Sequence, residues 1–401
     1  MSATIKHIDI KGVQIPVIFE EQKTLPILNL QLVFQNSGYI QDKNKSGLVS
    51  LSSKLLNEGT NELGATKFAQ KLEENAISLA ASNGFETFVI ELSNLKEQSK
   101  KGIELLTALL KSPNYTQDTL NKLKTMQTGS LKRKENDFDY VANNQLKSVL
   151  FKGTTLENSA AGTIESISKI ELKDIENFIS QTVCLENLII VAGGDFELKE
   201  FEKLVKPLLE TLNVGKKAQL EEVNFISKKE EKVLIKDTQQ AYIYFGSSFN
   251  INSKDEENYK AKVASFILGG SGFGSRLMEE IRVKRGLAYS AYGSISINKS
   301  HSYFNGYLQT KNETADEAKK LVGEIIEDFV KNGVTNDELS AAKNFLTGSE
   351  PLRSETLSQR LNRAFTLYYR GLEPNYSQKE LEKIQNLELT DLNNYIKSHN
   401  E

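Results

Sequence analysis

The sequence predicts an α+β protein with two homologous domains, each a mixed or antiparallel sheet covered by helices. Three observations predict this class: segments recur at a constant offset, strand-like runs open both halves, and amphipathic helical patterns follow those runs. With 401 residues, the chain is long enough for two domains of ordinary size.

A repeat at an offset of 219 residues indicates a duplication. Residues 116–120 (TQDTL) recur as residues 335–339 (TNDEL), and residues 128–130 (TGS) recur as residues 347–349. No gap separates the two matches, and the amphipathic pattern before them recurs at the same offset. The two halves therefore carry equivalent helices.

Strand-like runs open each half. Residues 27–34 and 241–245 are rich in branched and aromatic side chains, which favour strands. Residues 87–92 and 303–308 alternate apolar with polar side chains, as strands of a half-buried sheet do. Each half is therefore expected to contain one sheet, followed by several helices.

A polar stretch between the halves predicts a linker at residues 213–232, because residues 228–232 (KKEEK) are all charged. The predicted domains are residues 1–212 and 233–401.

The second half is shorter than the first. Residues 172–175 (LKDI) begin a helix that leads to a buried strand at residues 187–195, and residues 389–392 (LTDL) are similar to the start of that helix. No matching strand follows before residue 401. We expect either a truncated sequence or a second sheet with one strand fewer.

Composition excludes several classes of function. The net charge of -3 gives little support to non-specific nucleic-acid binding. No apolar run approaches the roughly 20 residues that span a bilayer, and no signal peptide is visible. We expect a soluble protein, cytoplasmic as the sequence stands and periplasmic if a leader has been removed.

Motifs in both halves resemble a known family. Residues 162–167 (GTIESI), residues 269–277 (GGSGFGSRL) and residues 281–290 (IRVKRGLAYS) are similar to segments of insulinase (pitrilysin) zinc peptidases, which include mitochondrial processing peptidase. The resemblance covers nearly the whole chain. It implies the metallohydrolase fold shared by LuxS and the processing peptidases, with the chain as one half of a clamshell. Several members work as a catalytic and a non-catalytic subunit.

The family's zinc motif, H-x-x-E-H, is absent. In that motif two imidazoles one helical turn apart bind the metal, and the Glu activates water. At the matching positions this chain has Ser50, Ser53 and Lys54. The resemblance puts the third ligand at Gly129 or Ser130, and neither has a carboxylate. We expect no metal in this chain.

Two other catalytic interpretations are weaker. The three histidines, His7, His301 and His399, are far apart in sequence and have no partner at metal-ligand spacing. A Ser-Lys hydrolase built on the degenerate helix would need an oxyanion hole, for which the sequence offers no signal. Polar residues that fill a vacated pocket are the favoured interpretation.

Arg282 and Tyr289 match an Arg/Tyr pair that, in the family, reaches substrate bound at the zinc of the opposing domain or subunit. A tyrosine hydroxyl can donate to a peptide carbonyl or to a developing oxyanion, and arginine supplies a permanent charge. Strand alternation alone places Tyr289 with Leu287 and Ala291 on an apolar face, so a core tyrosine is the alternative. The resemblance favours the substrate-facing role.

The glycine-rich stretch lacks the spacing of a nucleotide-binding loop, because Ser275 stands where the last glycine of the dinucleotide fingerprint would be. It also lacks the Gly-Lys-Ser/Thr of a P-loop. We expect a turn between helices. The resemblance implies a second interpretation, a loop that contacts substrate, as the glycine-rich loop of the processing peptidases does. Its residues are Gly269, Gly270, Ser271, Gly272 and Gly274.

These observations predict the non-catalytic, substrate-binding subunit of a heteromeric zinc metallopeptidase that acts on peptides. A homologous partner with an intact H-x-x-E-H would supply zinc and form a heterodimer with this chain; a homodimer is the alternative when the chain is alone. The alternative is a catalytically inert structural or peptide-binding protein of the same fold. Retention of Arg282 and Tyr289 favours the first hypothesis.

Overall fold

The computed structural model describes residues 3–223, 225 and 228–399. The strands are β1 Thr4–Ile10, β2 Val13–Glu21, β3 Ile27–Gln35, β4 Ser78–Asn83, β5 Thr87–Leu95, β6 Leu188–Gly194, β7 Gln240–Ser248, β8 Ala288–Ile297 and β9 Ser302–Lys311.

Helices follow the strands in both halves. They are α1 Leu48–Leu56, α2 Gly64–Glu73, α3 Ser99–Lys111, α4 Gln117–Lys134, α5 Phe138–Leu150, α6 Ile164–Lys169, α7 Leu172–Thr182, α8 Leu198–Leu209, α9 Asn258–Ser265, α10 Ala315–Asn332, α11 Asn336–Gly348, α12 Leu357–Arg370, α13 Tyr376–Gln385 and α14 Leu389–Ser398. Two π-helical segments, Phe266–Gly270 and Met278–Val283, flank the glycine-rich stretch.

The chain forms two compact units that alternate along the sequence. The domain boundaries predicted from the sequence, residues 1–212 and 233–401, follow the internal repeat and stay a prediction. The first unit comprises Met1–Arg133, Asn158–Leu220 and Arg353–Tyr369, and the second comprises Lys134–Glu157, Glu221–Leu352 and Arg370–Glu401.

The first unit contains a mixed six-stranded sheet in the order β1-β2-β6-β3-β5-β4. The apolar strand β6 is wholly buried, parallel to β2 and antiparallel to β3. Side chains of α1, α3, α7 and α8 join the main core of this unit, where Leu51, Leu55 and Phe201 are completely buried. This core fixes α1 against the sheet.

Helix α12 lies in the second repeat of the sequence, but most of it belongs to the first structural unit. Its Leu357 and Leu361 pack with Ile18, Val33 and Ile189 in a separate apolar cluster. Those strand residues alternate with residues of the main core, so the cluster lies on the opposite face of the sheet. The first sheet is therefore covered on both faces.

The second unit contains an antiparallel sheet with three strands among the described residues, in the order β7-β9-β8. Helix α5, from the first repeat, supplies Phe138, whose ring lies 6.0 Å from that of Tyr242 in β7. Helices α9, α10, α11 and α14 supply the core of this unit, which includes Val263 and Leu392. No strand follows α14 within the described residues.

The repeat is visible in the helices. At the 219-residue offset α4 starts with Gln117 and α11 with Asn336, while α5 starts with Phe138 and α12 with Leu357. The predicted α+β class with helix-covered mixed and antiparallel sheets is confirmed. No helix in the described part of the chain is long and apolar enough to cross a membrane.

Candidate functional site

The degenerate zinc helix α1 has a fixed start. The buried Asp42 carboxylate accepts hydrogen bonds from the backbone N–H of Gly47 (2.8 Å) and Val49 (2.9 Å). Gly47 has φ +92°, and a Cβ there would lie 2.6 Å from the Ile167 side chain, so only glycine fits. Burial raises the pKa of Asp42 to about 7, although the two N–H groups oppose this shift.

Ser53, at the position of the family's Glu, has ordinary structural contacts. Its Oγ lies 3.0 Å from the Ser50 carbonyl oxygen and 3.0 Å from Asn83 Oδ1, so its hydroxyl can donate to either. Lys54 directs its ammonium to Gln127 of another helix. This arrangement gives no support to a Ser-Lys hydrolase.

Gln127 is the residue that α4 brings to Lys54. The Lys54 ammonium donates to Gln127 Oε1, and Gln127 Nε2 donates to the Ala161 carbonyl at 2.9 Å. The family resemblance predicts the third ligand position at Gly129 or Ser130 rather than at Gln127. The missed signal is helical spacing, because Gln127 continues the buried stripe of α4 as its only polar member among the buried residues of that helix.

Asn57, one turn after Ser53, binds the edge strand β4. Its Nδ2 donates to the Ala81 carbonyl at 2.9 Å, and its Oδ1 accepts from the Ala81 N–H at 2.7 Å. Among the described strands β4 pairs only with β5, so Ala81 belongs to an edge strand. The Asn57 amide therefore occupies both hydrogen-bonding groups that an added strand would need at Ala81.

Metal-binding chemistry has little basis in these residues. Within the described ranges no three His, Cys, Asp or Glu side chains cluster as metal ligands would. His7 lies in β1, His301 lies between β8 and β9, and His399 follows α14. Burial lowers the pKa of His301 to about 4, so its imidazole is neutral near pH 7.

The predicted Arg/Tyr pair is assembled in the second unit. The guanidinium carbon of Arg282 lies 4.7 Å from the centroid of the Tyr289 ring and 4.8 Å from that of Phe273. Tyr289 is 77% exposed and Phe273 is 69% exposed. A cation between two aromatic rings is stabilised by both, which holds the guanidinium at the surface. Phe273 is not among the site residues that the sequence predicts.

Tyr289 is exposed because of a β-bulge. Ala288 pairs with Thr310 and Ser290 pairs with Gln309, so Tyr289 is an extra residue without a partner on β9. A bulge interrupts the alternation of faces and redirects the side chain. The core-tyrosine alternative is therefore wrong for this ring.

Arg282 lies in a π-helical segment, a form that recurs at functional sites. The neighbouring Arg285 forms an ion pair with Glu280 at 2.6 Å. In contrast, no ion pair or side-chain hydrogen bond of Arg282 is found within the described part of the chain. Its five N–H donors are available to a ligand carbonyl or carboxylate.

The glycine-rich stretch forms the expected turn between helical segments. A Cβ on Gly269 would lie 2.4 Å from the Gly293 nitrogen, so the loop starts in close contact with β8. Ser275, which ends the loop, is buried and donates from Oγ to the Gly272 carbonyl at 2.7 Å. Phe273, near the middle of the loop, reaches Arg282. Through Phe273 the loop therefore contacts Arg282 of the Arg/Tyr pair. Substrate contact by Gly270, Ser271 and Gly274 stays a prediction.

Comparisons with known proteins identify the family. Residues 169–346 match the family described as "Peptidase M16 inactive domain". A Helicobacter pylori protein named "Non-peptidase homolog YmxG" is 44% identical over 400 residues, which cover 100% of this chain and 92% of that protein.

Solved structures share the fold. A peptidase M16 inactive domain from Pseudomonas fluorescens superposes with a TM-score of 0.90 at 23% identity, over 99% of this chain and 95% of that one. A protease from H. pylori gives a TM-score of 0.86 at 18% identity, over 100% and 97% of the two chains. The chain therefore belongs to the peptidase M16 (insulinase) family, as one of its non-catalytic members.

Proposed function

We propose that this chain is the substrate-binding subunit of a heteromeric zinc metallopeptidase. A homologous partner with H-x-x-E-H supplies the metal and the base, and this chain supplies Arg282 and Tyr289 to the bound peptide. The observation that carries the proposal is the contact of the Arg282 guanidinium with the exposed rings of Phe273 and Tyr289. Donors held in fixed positions are suited to a ligand that another molecule presents.

The chemistry of this stack fits a peptide. The Tyr289 hydroxyl can donate to a scissile carbonyl, and that hydrogen bond strengthens as the oxygen becomes an oxyanion. Arg282 contributes a guanidinium, whose planar fork of donors matches a peptide carbonyl or carboxylate. Neither residue can activate water, so the pair assists a hydrolysis that another subunit carries out.

The α1 region supports the division of labour between subunits. Lys54 contributes a positive charge where the resemblance expects an imidazole, and Asn57 occupies the edge of β4 at Ala81. A metal ion is repelled by the ammonium, and an extended peptide is excluded from that part of the edge. Both features favour peptide binding and zinc chemistry in the partner.

A reconstitution assay tests the proposal. The chain is mixed with an H-x-x-E-H homologue from the same organism, and cleavage of a fluorogenic peptide library is measured for each protein alone and for the mixture. We expect no cleavage by this chain alone. In the mixture, Tyr289→Phe should lower kcat/KM by about 10- to 100-fold, because one oxyanion donor is lost.

Arg285→Lys is the matched control, since Arg285 is adjacent but paired with Glu280. It should leave cleavage within twofold of wild type. Association of the two subunits, measured by light scattering, should be the same for all variants. Metal-dependent cleavage by the lone chain, or equal kcat/KM for wild type and Tyr289→Phe in the mixture, would overturn the proposal.

A further inference from the structure

Two arginines of the second unit, Arg276 and Arg282, have similar aromatic contacts. The guanidinium carbon of Arg276 lies 5.3 Å from the centroid of the Phe329 ring. That of Arg282 lies 4.7 Å from the centroid of the Tyr289 ring. Both cations are therefore stabilised by an aromatic ring. What differs is the group that the N–H donors of each guanidinium bind.

The donors of Arg276 are occupied by a carboxylate. Its Nε donates to Glu338 Oε1 at 2.5 Å, and its Nη2 donates to Glu338 Oε2 at 2.8 Å. Nη2 also donates to the Gly333 carbonyl at 2.6 Å, and Nη1 lies 3.3 Å from an Asp328 carboxylate oxygen. Two parallel hydrogen bonds to one carboxylate are a strong arrangement for a guanidinium. Arg276 thus has both an aromatic ring beside the cation and a carboxylate at its donors.

Arg282 has the aromatic rings but not the carboxylate. The N–H bonds of a guanidinium lie in its plane and point outward, so rings near its central carbon do not satisfy them. Among the residues that the structure describes, Arg282 has no ion pair and no side-chain hydrogen bond. Arg282 is only partly buried, and its neighbours Phe273 and Tyr289 are exposed. A ligand from solution can therefore reach its donors.

The acidic residues nearest to Arg282 in sequence do not fill this position. Glu280 binds both Lys284 and Arg285, each at 2.6 Å. Glu279 lies three residues before Arg282, and no ion pair between the two is found in the described part of the chain. The segment from Glu279 to Arg285 reads EEIRVKR, so three basic side chains exceed two acidic ones. This excess of positive charge around Arg282 favours an anionic ligand.

We propose that Arg282 binds a carboxylate of a peptide ligand, in the two-point geometry that Glu338 adopts on Arg276. The peptide nature of the ligand rests on the function proposed above, whereas its carboxylate follows from the contacts of Arg282. The carboxylate belongs to an Asp or Glu side chain or to the C terminus, since all of these present the same two oxygens. A peptide carbonyl offers one oxygen and no net charge, so it binds a guanidinium more weakly.

Direct binding to the lone chain tests this selectivity. The probe is the peptide Ala-Gly-Asp-Gly-Ala with an uncharged fluorescent label on its N terminus and an amidated C terminus. A second peptide has Asn in place of Asp. Fluorescence anisotropy is measured at low ionic strength, where screening is weak. We expect saturable binding of the Asp peptide and at least tenfold weaker binding of the Asn peptide, because two charge-assisted hydrogen bonds are lost.

A third peptide identifies the source of the carboxylate. It keeps Asn but has a C-terminal carboxylate instead of the amide. Tighter binding of this peptide than of the Asp peptide would assign the site to a C terminus, and the reverse order would assign it to an acidic side chain. In both cases the neutral peptide, with Asn and an amidated end, should bind most weakly.

A matched pair of protein variants locates the contact. Arg282→Lys keeps the charge but loses the planar fork of donors, so it should weaken binding of the tighter carboxylate peptide at least fivefold. Arg285→Lys makes the same substitution at a guanidinium that Glu280 already occupies, and it should change binding less than twofold. Circular dichroism confirms that both variants are folded. The comparison of peptides on the wild-type chain needs no variant, so it decides the matter even where a substitution disturbs folding.

Two results would overturn the carboxylate assignment. One is equal binding of the three peptides to the wild-type chain, and the other is equal binding of the tighter peptide to wild type and Arg282→Lys. Neither measurement involves a zinc-bearing partner. Cleavage by the reconstituted mixture together with equal binding of the three peptides would remove only the carboxylate selectivity. Carboxylate-selective binding without cleavage in the mixture would remove only the peptidase role.

Discussion

Lys54 and Gln127 join the two helices on which family resemblance places zinc ligands, with the Lys54 ammonium donating to the side-chain oxygen of Gln127. Gln127 is buried and is also held by the Ala161 carbonyl. The contact shows that Gln127 is the α4 side chain that reaches Lys54 of α1. Gln127 is therefore the structural candidate for the third ligand position.

Reconstruction of the metal site tests this candidate. Replacement of Ser50 by His, Ser53 by Glu, Lys54 by His and Gln127 by Glu should give a chain that binds one Zn²⁺. These changes remove the repelling ammonium and restore two imidazoles and a carboxylate. Zinc content after dialysis and isothermal titration calorimetry measure the result.

The matched control keeps the three α1 changes and Gln127, and carries Ser130→Glu instead. It should bind zinc at least tenfold more weakly, because Gln127 is the α4 residue whose side chain reaches position 54. Tighter binding by the Ser130→Glu protein would move the third position back to the place predicted from the sequence.

The sequence predicts the duplicated fold well because the signals are local. Helical and strand periodicity depend on neighbouring residues, and the 219-residue offset repeats them. The exchange of α5 and α12 between the units depends on tertiary packing, which no local pattern encodes. The sequence predicts that these helices form, but it does not predict which of the two units each helix belongs to.

The site was predictable in part. Family resemblance predicts Arg282 and Tyr289 as site residues. Alternation alone puts Tyr289 on the wrong face, because the pattern of apolar and polar residues does not reveal the extra residue of the bulge. Phe273 was missed because an exposed aromatic ring in a glycine-rich turn has no periodic signal. Gln127 had such a signal, as a polar residue in a buried stripe.

Asp42 gives the chain a measurable pH dependence. Its pKa is raised by burial from 3.8 to about 7. As pH rises from 4 to 7 the unfolded chain loses this proton, while the folded chain still holds about half of it at pH 7, so the free energy of unfolding falls by about 3 kcal/mol from this group. Asp42→Asn, which cannot ionise, should therefore lose about 2 kcal/mol less than wild type between pH 5 and 7.5 in urea unfolding.

Asp174→Asn is the control for this window. Although burial opposes the shift, the hydrogen bond from Lys45 contributes to lowering the pKa of Asp174 below its ordinary value. Asp174 is then ionised in both states above pH 5, and its replacement should shift stability equally at pH 5 and 7.5. A parallel pH profile for wild type and Asp42→Asn would contradict the assignment.

Arg360 and Glu20 hold α12 on the first sheet. Arg360 Nε donates to Glu20 Oε1 at 2.8 Å, Glu20 is only 3% exposed, and its Oε2 has no hydrogen-bond partner among the described residues. Arg360→Met should cost about 3 kcal/mol in the free energy of unfolding, because a buried carboxylate is left unpaired. Adding Glu20→Leu should recover at least half of that loss.

Urea unfolding of the two single variants and the double variant completes this thermodynamic cycle. Arg363→Met, on the same helix, is the control and should cost less than about 1 kcal/mol. Additive losses for Arg360→Met and Glu20→Leu would show that the pair does not act as a unit.

Asn57 offers a way to open the edge of β4. Asn57→Ala leaves the N–H and carbonyl of Ala81 without the side-chain partners that now lie at 2.7 and 2.9 Å. Because β4 is an edge strand, both groups then face solvent, and amide exchange in β4 should quicken at least tenfold by mass spectrometry. Asn75→Ala, which removes only a bond to the exposed end of α2, should leave that exchange unchanged. If exchange in β4 stays slow without Asn57, the edge is closed by other contacts, and the Asn57 amide does not explain why an extended peptide would avoid this strand.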